Sequence, residues 1–108
     1  MTVPEIDIAE AARRHAAGTA VIDVREPHEY VEGHVPGAPL IPLGEVMERV
    51  EEFPAVDEVL IICKMGGRSR KAAEYLRGQG IDAVNIAGGT TAWVDEGHRV
   101  VTGDEPGA

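Results

Sequence analysis

The hydrophobic and polar positions of this chain divide it into short apolar runs and longer amphipathic stretches. Val59–Ile62 is apolar at every position, and the segments 20–24 and Ala83–Ile86 are similar short runs. A run without alternation has no polar face, so it predicts a strand of a parallel sheet that is covered on both sides. The pattern therefore predicts an α/β fold: a small open parallel sheet of four or five strands with helices on both faces.

Capping residues and helical spacing indicate where the helices lie. Asp7 is expected to cap a helix that Gly18 ends, and Pro27 is expected to start a short helix that ends at Gly33. Apolar residues between positions 43 and 53 are spaced like one face of a helix, which Pro54 would end. The expected helices cover residues 8–17, 27–32, 43–53, 69–77 and 90–96, and residues 38–41 are expected to be extended.

Length and composition favour one small domain. The chain has 108 residues, of which 44% are hydrophobic, enough to build one core without disulfide bonds. We expect residues 1–101 to form the domain. Residues 102–108 lack apolar anchors and are expected to form a flexible tail.

Charge and cysteine content narrow the partners and the compartment. The formal net charge of −9 argues against nucleic acid and anionic membranes as partners. One cysteine cannot form an intramolecular disulfide, and no secretory signal or transmembrane stretch is visible, so a cytoplasmic location is expected. An acidic protein that binds an anion must also build a locally positive pocket.

The candidate catalytic residue is the single cysteine, Cys63, which directly follows the apolar run Val59–Ile62. Ligands of parallel α/β sheets bind beyond the carboxyl ends of the strands, where this thiol would lie. Gly66 and Gly67 can take positive φ angles, which lets a short loop direct its N–H groups to one point. A cysteine on its own is usually a small buried hydrophobic residue. Two glycines and two cations within five residues favour a reactive thiol instead.

The positive charge near Cys63 indicates an anionic substrate. Lys64 and Arg68 flank the glycines, and a helix is expected to begin at Ser69. Helix N-termini and neighbouring cations lower the pKa of a thiol below its usual value of about 8.5 and so stabilise the thiolate. The sequence therefore predicts a nucleophilic cysteine that acts on an anion.

Three motifs in order along the chain resemble those of the rhodanese sulfurtransferases. Cys63-Lys64-Met65-Gly66-Gly67-Arg68-Ser69 resembles the active-site loop of that family. The segments 23–30 and 33–38 resemble its N-terminal signature, and Gly88-Gly89-Thr90-Thr91-Ala92-Trp93 resembles its C-terminal one. Together they span most of the chain.

This resemblance implies transfer of sulfane sulfur through a persulfide on Cys63. Thiosulfate or a similar small anion would be the donor, and a thiol or cyanide would be the acceptor, with a protein acceptor also open. Neither a cofactor nor a metal is implied. The implied substrate-binding residues are Lys64, Met65, Gly66, Gly67 and Arg68, with Asp23, Arg25 and Ser69 as supporting residues. The resemblance also implies five strands, the first around residues 3–6. We expect Arg25 to form an internal ion pair, with Glu29 as its candidate partner.

Three other functions remain open at this stage. A phosphatase or arsenate reductase would share the fold, but its loop is one residue longer than the six residues from Cys63 to Arg68. A non-catalytic rhodanese-like interaction module would typically lack the cysteine. A sulfur carrier for a biosynthetic partner shares the chemistry, and the sequence does not distinguish it from the enzyme. His34, in a Gly-His-Val-Pro-Gly turn, is expected to be a structural hydrogen-bonding residue.

Overall fold

The computed structural model describes residues 2–107. Their fold is built around a parallel four-stranded sheet. Its strands are β1 (Glu5–Ile6), β2 (Ala20–Asp23), β3 (Val59–Ile62) and β4 (Ala83–Ile86). They lie in the order β1-β4-β3-β2, and all three pairings are parallel. The resemblance implied five strands, but the sheet of the described residues has four, and residues 38–41 add only a single parallel bridge, from Leu40 to Asp23. The parallel sheet confirms the α/β class predicted from the apolar runs and the short first strand implied by the family resemblance.

Four helices connect or follow the strands. They are α1 (Ile8–Ala16), α2 (Pro27–Glu32), α3 (Gly67–Gly78) and α4 (Gly89–Asp95). Asp7 caps α1 as expected, because its Oδ1 accepts a 2.9 Å hydrogen bond from the Glu10 N–H. Helix α3 begins two residues before the expected start at Ser69. None of the helices in the described range is long and apolar enough to cross a membrane.

The core consists of two layers, one on each face of the sheet. Successive residues of β3 point to opposite faces, and all four are fully buried, which explains why the run shows no polar alternation. Val59, Ile61 and Cys63 pack with the buried face of α3, whereas Leu60 and Ile62 pack with α1 and α4. Cys63 therefore leaves the sheet on the α3 side.

Residues 43–53 do not form the α-helix predicted from their spacing. They form two 3₁₀ segments, Leu43–Glu45 and Met47–Glu52, with a kink at Arg49. The predicted face was partly misread, because several of its spacings are of three residues, the period of a 3₁₀ helix. Four glutamates three or four residues apart also disfavour an α-helix through repulsion of like charges: Glu45, Glu48, Glu51 and Glu52.

Residues 103–106, which belong to the segment expected to form a flexible tail, lie against α2 and the turn that follows it. The buried His34 side chain approaches the Tyr30 carbonyl at 2.8 Å through Nδ1 and the Glu105 carbonyl at 2.9 Å through Nε2. The Gly37 N–H donates to the Pro106 carbonyl at 2.8 Å. These backbone partners replace the apolar anchors that the tail lacks, and His34 has the structural role predicted for it.

Candidate active site

The Cys63 thiol lies at the carboxyl end of β3, where the chain turns into α3. Its sulfur accepts a 3.0 Å hydrogen bond from the Gly66 N–H and lies 3.2 Å from the Ser69 hydroxyl. Cys63 is 1% exposed and Ser69 is fully buried, so these contacts are shielded from water. Polar groups aimed at a buried sulfur form a site that can hold negative charge.

Two opposing effects act on the pKa of Cys63. Burial raises it, while hydrogen bonds from the Ser69 hydroxyl and from the N–H groups of Ser69, Gly66 and Met65 lower it. The hydrogen bonds outweigh burial, so the pKa of Cys63 lies below its ordinary value. The thiolate therefore persists to a lower pH than that of an unperturbed cysteine, and it owes this mainly to local dipoles.

The loop around the sulfur depends on one glycine in a left-handed conformation. Gly66 has φ +110° and caps the N-terminus of α3, an arrangement that a residue with a Cβ adopts only with strain. Gly67 is the first residue of α3, has no positive φ, and has nothing within 4 Å of the position of a Cβ. Of the two glycines expected to shape the loop, Gly66 is thus the one whose conformation requires glycine.

The N-terminus of α4 holds the start of the loop that follows Cys63 through hydrogen bonds to its backbone carbonyls. The Thr90 N–H donates to the Cys63 carbonyl at 2.8 Å, and the Thr91 N–H donates to the Lys64 carbonyl at 3.0 Å. The Thr90 hydroxyl adds a second bond to the Cys63 carbonyl at 3.0 Å. Gly89, with φ +58°, allows this close approach, since a Cβ there would lie 2.5 Å from the Lys64 oxygen. The Gly-Gly-Thr-Thr segment therefore holds the backbone of Cys63 and Lys64 in place.

Arg68 forms its main contact with Glu29 of α2. Two guanidinium nitrogens donate to the two carboxylate oxygens at 2.7 and 2.9 Å. This pairing, opposed by burial and assisted by the Glu26 N–H, lowers the pKa of Glu29 to about 2. The pair thus stays ionised at neutral pH, and Glu29 offsets much of the positive charge that the sequence placed beside Cys63.

Arg25 is an internal ion-pair residue, as expected, but its partner is Asp23 and not the Glu29 carboxylate. Its guanidinium contacts both Asp23 carboxylate oxygens, at 2.8 to 3.1 Å, and both residues are buried. It also donates to the backbone carbonyls of Glu29 and Gly33. This network ties the end of β2 to α2, the helix that carries Glu29.

A cleft of about 300 Å³ lies beside the loop. Lys64 and Thr90 from the active-site region line it, and Val94 forms part of its wall. Its other lining residues are Arg25, Glu29, Glu32, Thr91 and Asp95. The lining holds three carboxylates and two cations, so the cleft is not the wholly positive pocket that the acidic composition led us to expect.

Two features of the site were not predicted from the sequence: the role of Asn85 and the pairing of Glu29 with Arg68. Asn85 is fully buried in β4, and its Oδ1 lies 2.5 Å from the Ser69 hydroxyl. A single polar residue within an apolar run was a signal that could have identified it. Glu29 contacts a residue 39 positions away, and no local pattern marks such a pair.

Fold and site together define the class of protein. The candidate site is a cysteine thiol at the carboxyl end of a parallel strand, followed by a loop whose hydrogen bonds favour a negative sulfur. Such a thiolate can attack an electrophilic sulfur and carry the product covalently. This combination defines an α/β domain with a thiol that is suited to nucleophilic chemistry.

Comparison with known proteins identifies the family. A profile of the rhodanese-like domain family matches residues 7–96. YtwF of Bacillus subtilis, a candidate sulfurtransferase, is 37% identical over 98 residues, covering 89% of this chain and 95% of YtwF. YrkF of the same organism, a candidate sulfur carrier protein, is 38% identical over 95 residues, covering 85% of this chain but only 51% of YrkF.

A solved structure gives the same result. The rhodanese-related protein of Thermoplasma volcanium superposes with a TM-score of 0.86 at 33% identity, covering 91% of this chain and 97% of that one. The chain therefore belongs to the rhodanese-like domain family, as its three motifs predicted. It is a domain of the sulfurtransferase and sulfur-carrier class.

Proposed function

We propose that this chain is a sulfurtransferase that moves sulfane sulfur from thiosulfate, or a similar anionic donor, to a thiophilic acceptor. The observation that carries the proposal is the pair of hydrogen-bond donors, the Gly66 N–H and the Ser69 hydroxyl, directed at the Cys63 sulfur. They favour the thiolate and hence nucleophilic attack. Family membership and the names of the relatives support the same chemistry.

In the first half-reaction, the Cys63 thiolate attacks the outer sulfur of thiosulfate. A new S–S bond forms, the S–S bond of the donor breaks, and sulfite leaves with the electron pair. Cys63 then carries a persulfide whose negative outer sulfur lies near the loop N–H groups. Since these dipoles are already in place, the negative charge is stabilised without reorganisation of the loop.

In the second half-reaction, the acceptor attacks the outer sulfur of the persulfide. Cyanide would give thiocyanate, and a thiolate acceptor would give a new persulfide. In both cases the bond between the two sulfurs breaks and its electron pair returns to Cys63 as the thiolate. The cycle has a covalent intermediate and is of the ping-pong type.

Intact-mass spectrometry of the reduced protein before and after thiosulfate tests this function. We expect the mass to increase by one sulfur atom and to return to its starting value on addition of cyanide. An unchanged mass with excess donor would contradict the proposal. Hydrolysis of aryl phosphates through Cys63 at rates comparable with sulfur transfer would instead support the phosphatase alternative, which the six-residue loop disfavours.

The cations of the loop are expected to raise kcat/KM for negatively charged donors. Lys64 is exposed, lines the cleft and forms no ion pair within residues 2–107, so it is available to a donor anion. Lys64→Ala should lower kcat/KM for thiosulfate about tenfold, the usual value of a charge-assisted hydrogen bond, and should affect an uncharged donor less. Lys71→Ala on α3 removes another exposed lysine and serves as the control.

Arg68 should also be required for the use of thiosulfate, and the effect of removing it should depend on its ion-pair partner Glu29. Arg68→Ala should lower kcat/KM for thiosulfate by about tenfold or more, because it removes a cation and leaves the Glu29 carboxylate uncompensated. Adding Glu29→Gln should recover part of this loss. If Arg68→Ala, Lys64→Ala and the Lys71→Ala control all matched the wild type, the two loop cations would have no role in donor binding.

A second candidate is a persulfide carrier that delivers sulfur to a protein. It is favoured by exposed apolar side chains around the site: Met65 of the loop is 69% exposed and Val94 at the cleft is 52% exposed. Apolar side chains at the rim of a site suit contact with another protein better than with a small anion. This function uses the same persulfide, so it would appear as slow turnover with cyanide and rapid transfer to a protein thiol.

A further inference from the structure

Cys63, Ser69 and Asn85 form a buried network in which two acceptor atoms compete for one donor, the Ser69 hydroxyl. Ser69 Oγ lies 3.2 Å from Cys63 Sγ and 2.5 Å from Asn85 Oδ1. A serine hydroxyl has one proton, so it donates to one of these two atoms at a time. All three residues are at most 1% exposed, so water does not supply the missing donor from bulk solvent.

The orientation of the Asn85 amide follows from its other neighbours. Asn85 Nδ2 lies 2.8 Å from a Glu5 carboxylate oxygen and 3.2 Å from the Gly66 carbonyl oxygen. Both of these atoms are acceptors, so the amide must direct its NH₂ group toward them. Asn85 Oδ1, an acceptor, is thereby directed toward Ser69. The strand β1, through Glu5, thus determines which atom of Asn85 the hydroxyl meets.

The charge on Cys63 then decides the direction of the Ser69 hydroxyl. A thiol can donate its proton to Ser69 Oγ while Ser69 donates to Asn85, and every group in this chain of bonds is satisfied. A thiolate needs the Ser69 proton itself, which leaves Asn85 Oδ1 without a donor. In a persulfide the inner sulfur is neutral, so the hydroxyl is again free to donate to Asn85.

We propose that Asn85 is a positioning residue that makes the Ser69 hydroxyl alternate between two acceptors, Cys63 Sγ when that sulfur is negative and Asn85 Oδ1 when it is neutral. This proposal rests on the sulfur-transfer cycle proposed above and adds a role for a residue that does not touch the substrate. The hydroxyl turns toward Cys63 as the acceptor removes the outer sulfur and the electron pair returns to the thiolate. Asn85 supplies the second acceptor that holds the hydroxyl in the other state.

Other charged groups lie around this network, and the substitutions Asn85→Leu and Ser69→Ala leave all of them in place. Arg68 interacts electrostatically with Cys63, and Arg70 forms an ion pair with Glu5 at 3.1 Å. The charged side chains on the neighbouring elements include Glu5 of β1, Asp23 and Arg25 at the end of β2, Glu29 of α2, Lys64 of the loop, and Arg68 and Arg70 of α3.

A double-mutant cycle of Asn85→Leu and Ser69→Ala tests the proposal. The readout is the rate of Cys63 alkylation by iodoacetamide as a function of pH, which reports the thiolate without any sulfur donor. At a pH below the midpoint, Asn85→Leu should raise the rate about two- to tenfold when Ser69 is present, because the hydroxyl then has no competing acceptor. In the Ser69→Ala background, the same substitution should leave the rate unchanged or lower it.

The cycle separates this role from a purely structural one. Loss of the contact from Asn85 to the Gly66 carbonyl would disturb the loop equally in both backgrounds, so an identical change in both would overturn the proposal. The test is also independent of sulfur transfer. If the protein forms a persulfide but the double-mutant cycle shows no coupling between Asn85 and Ser69, only the role of Asn85 is contradicted. If the coupling is found but no persulfide forms, only the proposed function is contradicted.

A second measurement needs no change to Asn85 and covers the case in which Asn85→Leu does not fold. Asn85 is the only asparagine and Gln79 the only glutamine of the chain, so their side-chain amide signals are unambiguous in NMR spectra. The Asn85 amide should shift with pH at the Cys63 midpoint, and Ser69→Ala should reduce that shift. The exposed Gln79 amide is the internal control. An Asn85 shift of equal size with and without Ser69 would contradict the proposal.

Discussion

Replacing Cys63 by serine is expected to abolish persulfide formation and to lower sulfur transfer by about 10³-fold or more. Cys63 is the only cysteine of the chain, so no second thiol can take over the attack. A serine hydroxyl is a far weaker nucleophile at neutral pH, and the loop does not make it anionic. Intact mass after thiosulfate and steady-state turnover with cyanide measure the two effects.

The fold should survive this change, which gives the experiment its control. The serine oxygen can still accept the hydrogen bond from Gly66, and the packing around residue 63 changes by little more than the size of one atom. Circular dichroism and thermal unfolding should therefore show a folded protein with a stability close to that of the wild type. Turnover by a folded Cys63→Ser variant at the wild-type rate would show that Cys63 is not the nucleophile.

Gly89→Ala is expected to have the second-largest effect, on both stability and activity. A Cβ at this position would lie 2.5 Å from the Lys64 oxygen and 2.6 Å from the Cys63 oxygen, and the residue has φ +58°. The left-handed backbone costs an alanine about 1–3 kcal/mol, and the clash with fixed backbone adds a similar amount. Because α4 supports the loop through these same carbonyls, the nucleophile should also move.

Gly97→Ala is a matched control for Gly89→Ala. Gly97 has φ +83°, so it carries the same kind of backbone strain, but nothing lies within 4 Å of the position of its Cβ. Chemical denaturation should show a smaller loss of unfolding free energy for this variant, and its rate of sulfur transfer should stay near that of the wild type. Equal losses in the two variants would show that the close approach of Gly89 to the loop has no special importance.

Most of the fold could be predicted from local patterns. Short apolar runs predicted three of the four strands, since a strand that is buried on both faces must be apolar along its length. The first strand has only two residues, Glu5 and Ile6, too short to produce a pattern, and it came only from the family resemblance. The segment 43–53 was predicted as an α-helix because spacings of three and four residues are hard to separate over eleven positions.

The candidate site also has a part that could be predicted from local sequence and a part that could not. Cys63 and its glycine-containing loop are contiguous in the sequence, so the place of the thiol at the end of a strand and the helix beyond it could be predicted from the sequence. The cations Lys64 and Arg68 were recognised as well, but their charge balance was not. Glu29 offsets Arg68 from another helix, and Glu32 and Asp95 bring further negative charge to the cleft.

The sequence by itself determined the class of fold, the strand that leads to Cys63, and the family, because each is encoded by residues that are close together along the chain. Only the tertiary structure decided the partners of Arg68 and Arg25, the support of the loop by α4, and the contact of Asn85 with Ser69. These contacts depend on how the sheet places β4 beside β3 and α2 beside α3. A hydrogen bond requires two groups within about 3 Å of each other, and for groups on separate elements packing alone sets that distance.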